Sequence, residues 1–293
     1  VVIACSGPSL ERSVPALVKT RGKIFIAALP SALACLSAHG ICPDTVVMTD
    51  PGFYSHALIR YMKPSSLFMP ISAATGAWNP EWPVTFFEQP FFFEEAFFRK
   101  TELSVPVIAP RGTVAATALA WALMKARGPV IIAGLDFCYT DIKSHARPHP
   151  FDILLDERSS RFTPLHSQQA ARAFLHAPEI SKGSSFRTSL PLRTYHGWFQ
   201  SIDAGIRSSL FQLYPSPFPV RGAIPTDSKG LCEMTKEVPL SAPTAKPEHI
   251  SVYPCRGERI DIALEILNEW ISVCREGEKD PDLFMREKDL HEH

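Results

Sequence analysis

The sequence has no excess of charge of either sign and no long apolar run. Lysine plus arginine and aspartate plus glutamate both number 30, so the chain lacks the basic surplus typical of proteins that bind nucleic acid or anionic membranes. No run reaches the roughly 18 apolar residues that a membrane-spanning helix requires. We therefore expect neither a nucleic-acid partner nor a membrane span.

Paired cysteine motifs are also missing. The seven cysteines are odd in number and none belongs to a C-x-x-C motif, which argues against a zinc site. Most lie in apolar stretches, so we predict reduced, buried thiols and a cytoplasmic location. No signal peptide is visible and the first residue is not methionine, so we expect the chain to be part of a longer protein.

The sequence does contain apolar runs that alternate with helical patterns. Residues 1–5 form an uncharged run that suits a buried parallel strand, and similar runs recur at 23–29 and 129–137. The clearest helical pattern is the Ala-rich stretch after Thr113. This alternation predicts an α/β, Rossmann-like fold with a mostly parallel sheet and helices on both faces.

Two later regions depart from this alternation. Between residues 145 and 185 the periodicity weakens, which predicts an irregular lid insertion in a nucleotide-binding domain that covers residues 1–225. Residues 226–293 are predicted to form a linker and a C-terminal amphipathic helix. Its apolar stripe, expected to dock on the domain, comprises Ile260, Ala263, Leu264, Leu267, Trp270 and Ile271.

The first strand breaks at the turn S-G-P-S. Gly7 permits a backbone angle that other residues avoid, Pro8 fixes the next angle, and Ser9 can cap the helix that follows. A strand that ends in such a turn before a helix can present backbone N–H groups to a phosphate. An ordinary connection between a strand and a helix explains the same residues.

Other polar residues and glycines follow predicted strands or begin helices. Because ligands of parallel α/β folds collect at the carboxyl ends of strands, we predict nucleotide contacts along that edge of the sheet. Asp50 can contact ribose or cap the next segment, and Asp136 can act as a ligand or as a structural support. No metal site is predicted. The predicted nucleotide-binding residues are Ser6, Gly7, Pro8, Ser9, Asp50, Thr113, Gly134 and Asp136.

Histidines 145, 149 and 166 lie in the predicted insertion. A single histidine there is more often a surface residue than a catalyst, but three in one ligand-side segment favour a functional group. His145 follows the G-L-D-F strand end by a few residues, within a segment long enough to fold over a nucleotide bound at Gly7.

Two motifs together resemble a known family. The stretch S-G-P-S-L-E, followed by H-G-I-C-P-D-T-V-V-M-T-D-P, looks like the opening of the motility-associated factor (Maf) and DUF115 family, which includes MptE-like 6-hydroxymethylpterin pyrophosphokinases. The stretch R-G-T-V-A-A-T-A-L-A-W-A-L, with V-I-I-A-G-L-D-F-C-Y-T-D and S-H-A after it, looks like the second signature. The resemblance covers roughly the first half of the chain.

The resemblance implies glycosyl transfer. Members of the family include flagellin glycosyltransferases that move nonulosonic acids from CMP to Ser or Thr, and both motifs are similar to those of bacterial CMP-sialic acid transferases. Those enzymes carry Asn where Ser6 stands here. Their aromatic hydroxyls after the D-F pair hold the departing phosphate, a role that falls here to Tyr139 and His145 as the predicted catalytic residues.

Three functions follow as hypotheses. The first is transfer of a sialic-like sugar from a CMP-activated donor to an acceptor hydroxyl, with flagellin as an example of an acceptor and with no cofactor required. The second is a pterin pyrophosphokinase, which needs Mg²⁺ and ATP and a richer set of carboxylates than T-D-P-G provides. The third is a nucleotide-sugar binding module without catalysis.

Overall fold

The computed structural model of the chain describes residues 1–52, 55–59, 66–73, 82–180, 186–201, 210–238 and 256–279. Within these ranges the strands are β1 (Val2–Ala4), β2 (Ile26–Ala28), β3 (Thr45–Val47), β4 (Leu67–Met69), β5 (Val84–Phe86), β6 (Val130–Ala133), β7 (Tyr139–Thr140), β8 (Glu179–Ile180), β9 (Phe186–Thr188), β10 (Leu210–Leu213) and β11 (Ile224–Thr226). The helices are α1 (Leu10–Thr20), α2 (Leu33–Ala38), α3 (Ser55–Ile59), α4 (Phe92–Thr101), α5 (Val114–Lys125), α6 (Pro150–Asp156), α7 (Leu165–His176), α8 (Leu190–Gln200), α9 (Ser228–Met234) and α10 (Arg256–Lys279).

The main sheet has eight strands in the order β11-β10-β6-β1-β2-β3-β4-β5. Its described pairings are all parallel, and Val2 of β1 pairs with Ile26 on one side and Ile131 on the other. Successive strands run outward from β1 in one direction through β5, and the chain then returns to the other side of β1 with β6. The order of the sheet therefore switches between β1 and β6, which confirms the predicted Rossmann-like α/β fold.

Helices cover both faces of this sheet. Because alternate strand residues point to opposite faces, Val2 and Ala4 pack with α1 and α2 in one core, whereas Ile3 and Cys5 pack with α5 in the other. Phe199 of α8 is fully buried in the second core. A sheet covered by helices on both faces needs strands whose side chains are apolar on both sides, and this explains the uncharged runs in the sequence.

The segment predicted as an irregular insertion contains regular structure. Helices α6 and α7 lie between residues 150 and 176, and β7, β9 and β8 form a small antiparallel sheet beside them. The helical pattern is weak in sequence because α7 buries only Gln169 and Ala173, so little of its surface needs to be apolar.

The C-terminal elements also differ from the expected pattern. Helix α9 lies in the stretch predicted as linker; it packs against α1, and its Leu231 is fully buried. Helix α10 packs against α4, but through Ile262 and Ile266 and through stacking of Trp270 on Phe92 at 5.7 Å. The predicted stripe is wrong for most of its length as a docking face, because Leu264, Leu267 and Ile271 are 44–52% exposed and only its member Trp270 makes the stacking contact with α4 among the described residues. Ile260 of that stripe is outside the described side chains.

The described residues bear on two further expectations, the lack of a membrane-spanning helix and the burial of the cysteines. No helix in the described ranges is long and apolar enough to cross a membrane. Cys5, Cys35 and Cys138 are buried as expected, whereas Cys42 is exposed. Cys255 lies outside the described residues.

A buried glutamine holds the loop after β10 against the end of β6. The side-chain amide of Gln212 donates to the Leu135 carbonyl at 3.1 Å, and its oxygen accepts from the Val220 N–H at 2.8 Å. All three residues are at least nine-tenths buried, so water cannot replace either bond. This one side chain therefore completes the hydrogen bonding of two separate loops.

Gln212→Met should lower the free energy of unfolding by about 2–4 kcal/mol, because it leaves one buried carbonyl and one buried N–H without partners. Urea denaturation would measure the loss. Lys229→Met, which places the same side chain on the exposed face of α9, should change stability by less than about 0.5 kcal/mol. Equal stability of the Gln212 and Lys229 variants would contradict the assignment.

Candidate functional site

The site begins where β1 and β6 separate at their carboxyl ends. The Cys5 N–H donates to the Ala133 carbonyl at 2.8 Å, and the Gly7 N–H donates to the Gly134 carbonyl at 2.7 Å. The S-G-P-S turn and the G-L-D turn are thus bonded directly to each other. Both motifs singled out in the sequence meet at the switch point of the sheet.

Close approach of the two turns explains both glycines. A Cβ on Gly7 would lie 2.6 Å from Asp136 Oδ2 and 2.7 Å from the Gly134 carbonyl, and a Cβ on Gly134 would meet the Cys5 carbonyl. The positive backbone angle belongs to Gly134, with φ +72°, and not to Gly7. The prediction of an unusual angle at Gly7 was wrong; space, rather than backbone angle, requires glycine there.

Asp136 is the carboxylate that joins the turn to α1. Its Oδ2 accepts the Ser9 N–H at 2.7 Å, its Oδ1 accepts the Ser9 hydroxyl at 2.5 Å, and its own carbonyl accepts the Ser216 hydroxyl at 2.6 Å. Burial raises the pKa of Asp136, while the bonds from Ser9 and the nearby Arg12 oppose the shift. Of the two roles left open by the sequence, this geometry fits the structural support.

The hydrogen bonds of the S-G-P-S turn limit its use as a phosphate cradle. The N–H groups of Gly7 and Ser9 are bonded to Gly134 and Asp136, and Pro8 has no N–H. These three residues therefore hold the site in shape, contrary to the expectation that their backbone would face a phosphate. The Ser6 side chain still lines the cavity described below.

The segment that carries His145 is bonded to the same turn. The Ala146 N–H donates to the Ser6 carbonyl at 2.7 Å, and Glu11 of α1 accepts from the Arg147 N–H and the Lys143 ammonium, both at 2.9 Å. Glu11 is the last residue of the S-G-P-S-L-E motif, and no local pattern predicts its partners, which lie more than a hundred residues away in the chain. These bonds place His145 beside the start of α1.

A cavity of about 670 Å³ opens along this edge of the sheet. The structure brings most of the predicted residues to its wall, namely Ser6, Gly7, Asp50, Thr113, Gly134, Asp136, Tyr139 and His145. Pro8 and Ser9 do not line it. Neighbours that the sequence reasoning missed include Ser31, Ser144, His176, Ser189 and Tyr195. No pattern in the sequence joins these residues, because they come from separate loops and helices.

Two predicted residues occupy turn and cap positions at the cavity. Asp50 is exposed, and its Oδ1 accepts the Gly52 N–H at 2.7 Å, the local turn that Asp residues commonly form. Thr113 caps α5, since its hydroxyl accepts the Ala116 N–H at 3.1 Å. Val114 and Ala115, the first residues of α5, also line the cavity, so the N-terminal end of this helix faces it.

Tyr139 and His145 line the part of the cavity that we call its inner end, and His149 stacks on His145 without lining the cavity itself. The rings of His145 and His149 are 4.1 Å apart and nearly parallel. The Ser144 hydroxyl lies 2.8 Å from Nδ1 of His145. Burial lowers the pKa of His145 to about 4, against a smaller opposing effect of Asp152, and burial together with His145 lowers the pKa of His149 to about 2. Both rings are therefore neutral near neutral pH.

Tyr139 completes the inner end. Burial raises the pKa of its hydroxyl, partly opposed by the positive charge of Arg172, so the group stays protonated and can donate a hydrogen bond. His166, the third histidine of the insertion, lies exposed on α7 and away from the cavity wall. No group of three or more metal-ligating side chains occurs among the residues that the structure describes.

The parallel sheet with helices on both faces places the chain among Rossmann-like α/β proteins. Residues 1–142 match the family model described as 6-hydroxymethylpterin diphosphokinase MptE-like. The structure of a Maf glycosyltransferase from Magnetospirillum magneticum AMB-1 matches with a TM-score of 0.55 and 12% identity. Together these matches confirm the resemblance to the Maf and MptE-like group.

The structural match covers only part of the Magnetospirillum protein, and its sequence identity is low. The structural match covers 90% of this chain but 37% of the Magnetospirillum protein, so this chain spans little more than a third of that length. At 12% identity it shows a shared fold. None of the curated proteins matches the chain in sequence.

Gly7→Ala should destabilise the protein by about 1–3 kcal/mol, because its Cβ would press on Asp136 and on the Gly134 backbone. Thermal denaturation would measure the loss. Gly128→Ala is the matched control, since a Cβ there has open space. A Gly7 variant as stable as the Gly128 variant would contradict the close packing of the two turns.

Acidification should destabilise the folded chain through the two stacked histidines. Their folded pKa values lie below the ordinary 6.5, so the unfolded chain binds protons that the folded chain does not as pH falls from 6.5 towards about 4. Each contributes a slope of at most about 1.4 kcal/mol per pH unit. Denaturation across this window should show a smaller slope for His149→Phe than for the wild type. Identical slopes in the two proteins would contradict the burial of His149.

Proposed function

We propose that the chain is a glycosyltransferase domain that moves a nonulosonic acid from CMP to an acceptor hydroxyl. The observation that carries the proposal is the junction of the two motifs at the switch point, facing a cavity of about 670 Å³ with two neutral hydrogen-bond donors at its inner end. A cavity of this size suits a nucleotide with an attached sugar. The resemblance to the Maf group supports the class of reaction, and a flagellin Ser or Thr is the acceptor that this resemblance favours.

The nucleotide phosphate would lie near the N-terminal end of α5. The first N–H groups of a helix have no partner within the helix, and the side chain of Thr113 satisfies only that of Ala116. The N–H groups of Val114 and Ala115 and the partial positive charge of the helix end suit an anion. Ser6 and Asp50 on the same wall could bind the nucleoside.

Tyr139 and His145 would stabilise the departing phosphate. When the bond between the sugar and the phosphate oxygen breaks, positive charge develops on the sugar and negative charge on CMP. The Tyr139 hydroxyl and the neutral His145 ring can each donate a hydrogen bond to that oxygen without changing charge. A histidine with a pKa of about 4 is a poor base at neutral pH, so the geometry favours donation over removal of the acceptor proton.

A second function, diphosphoryl transfer to a pterin, is favoured by the match of residues 1–142 to the 6-hydroxymethylpterin diphosphokinase MptE-like family. That reaction uses Mg²⁺ held by carboxylates and by the phosphates of ATP. Among the described residues that line the cavity the carboxylates are Asp50 and Asp136, and both oxygens of Asp136 accept bonds from Ser9. This arrangement leaves Asp50 as the available ligand and places the second function behind the first.

Nucleotide affinity separates these functions. Calorimetry with CMP, UMP, GMP and ADP, and with ATP plus Mg²⁺, should show the tightest binding for CMP. Preference for ATP with Mg²⁺ would overturn the glycosyltransferase proposal in favour of the diphosphokinase. Binding of CMP with neither hydrolysis nor transfer of a CMP-activated sugar would favour a binding module without catalysis.

His145→Ala should lower both transfer and spontaneous donor hydrolysis by about two to three orders of magnitude while CMP affinity changes far less, because the bond to the departing phosphate strengthens in the transition state. Steady-state rates with a CMP-activated sugar, with and without acceptor, measure this. His166→Ala is the matched control on exposed α7 and should retain full activity. Loss of transfer with intact hydrolysis would instead assign His145 to the acceptor proton, and full activity of the variant would remove it from the chemistry.

A further inference from the structure

A second, smaller cavity lies behind the stacked histidines. It encloses about 150 Å³ between the loop at residues 142–149 and helices α6 and α7. Tyr139, Ser144, His145 and His176 line both cavities, so the two spaces are neighbours.

His149 lines this pocket and carries a hydrogen-bond donor without a partner among the described residues. Its side chain is 2% exposed, and its Nδ1 accepts the Phe151 N–H at 3.3 Å, so the neutral ring carries its hydrogen on Nε2. That Nε2 is buried and has no hydrogen-bond partner among the described residues. A buried donor without a partner costs stability, and its persistence in a folded protein calls for a ligand or water to accept its hydrogen.

Among the described residues, two of the pocket's three basic side chains are paired with acids, and the third, Arg172, is exposed and has no acidic partner. Lys143 is paired with Glu11 at 2.9 Å, and Arg147 is paired with Asp152 at 3.4 Å. Arg172 also lines the pocket and forms no ion pair with any described residue. Asp152, the acidic residue of the lining, is balanced by Arg147 and also accepts from Gln169 at 2.9 Å.

We propose that this pocket binds a single oxyanion, a carboxylate or a phosphate group, through the Nε2–H of His149 and the guanidinium of Arg172. An oxyanion would accept the buried hydrogen and neutralise the spare charge at once. The pocket's volume suits one such group and not a nucleotide. That the oxyanion belongs to the same substrate that fills the main cavity rests on the proposed function; the binding of the oxyanion does not.

The experiment titrates protein carrying ¹⁵N-labelled histidine with sodium acetate and with inorganic phosphate, with affinities measured in parallel by calorimetry. At least one anion should bind and shift the Nε2–H resonance of His149 downfield. Binding of acetate alone identifies a carboxylate site, and binding of phosphate alone identifies a phosphate site. If neither anion shifts this resonance, the proposal is overturned.

Three variants assign the contacts. Arg172→Gln and His149→Phe should each weaken the anion's affinity by about tenfold to a hundredfold, as expected for loss of one charged or buried hydrogen bond. Arg161→Gln removes an exposed arginine that does not line the pocket, and it should bind as the wild type does. Equal affinities of the Arg172 and Arg161 variants would overturn the assignment of Arg172.

A stability measurement separates binding from a structural role. His149→Phe keeps a ring against His145 and removes the unpartnered donor, so the empty variant should melt no lower than the empty wild type. Added anion should raise the melting temperature of the wild type and not that of the variant. A large fall in the variant's melting temperature without anion would overturn the view that Nε2–H is kept for a ligand. A wild-type protein that binds the anion but does not bind CMP would overturn the proposed function and leave the anion site intact.

Discussion

The contact between two turns, one after β1 and one after β6, sets the geometry of everything around it. The Gly7 N–H is bonded to the Gly134 carbonyl, and Asp136 receives both donors of Ser9. These bonds fix the start of α1 relative to the end of β6, and α1 then carries Glu11 to the segment that holds His145. Because the Asp136 carboxylate accepts both donors of Ser9, it is unavailable to a ligand. The polar groups that face the cavity therefore come from other residues.

Neutral donors dominate that site. Tyr139 keeps its proton, and burial prevents His145 from gaining one near neutral pH. Such groups can stabilise negative charge that develops on a departing phosphate without first losing a proton, and their strength grows where water is excluded. Formal positive charge enters through Arg172 in the smaller pocket behind them. If both proposals hold, bond cleavage takes place beside Tyr139 and His145, and a permanent anion lies in the smaller pocket beside Arg172.

The sequence was most informative where structure is dictated locally. The uncharged strand runs and the Thr113 cap follow from periodicity and capping preferences, and they lie as predicted. Both glycine turns form where predicted, although space and not backbone angle requires glycine at position 7. The roles within the first turn could not be read the same way, because whether the Ser9 donors face a ligand or Asp136 depends on a residue 127 positions away. Helices α6 and α7 could not be recognised from the sequence, because exposed helices need few apolar residues. The docking face of α10 was misassigned because apolar side chains lie on more than one face of this helix.

The distance along the chain between Ser9 and Asp136 has a consequence for biosynthesis. A ribosome adds about 5–20 residues per second, so the first turn waits roughly 6–25 seconds for the carboxylate that completes it. During that time β1 can pair with β2, which follows it closely, while its other edge stays open. The nascent chain thus carries an apolar strand edge until β6 emerges, a state in which edge-to-edge association with other chains competes with folding. Chaperone protection would matter most in this interval, before any ligand could bind.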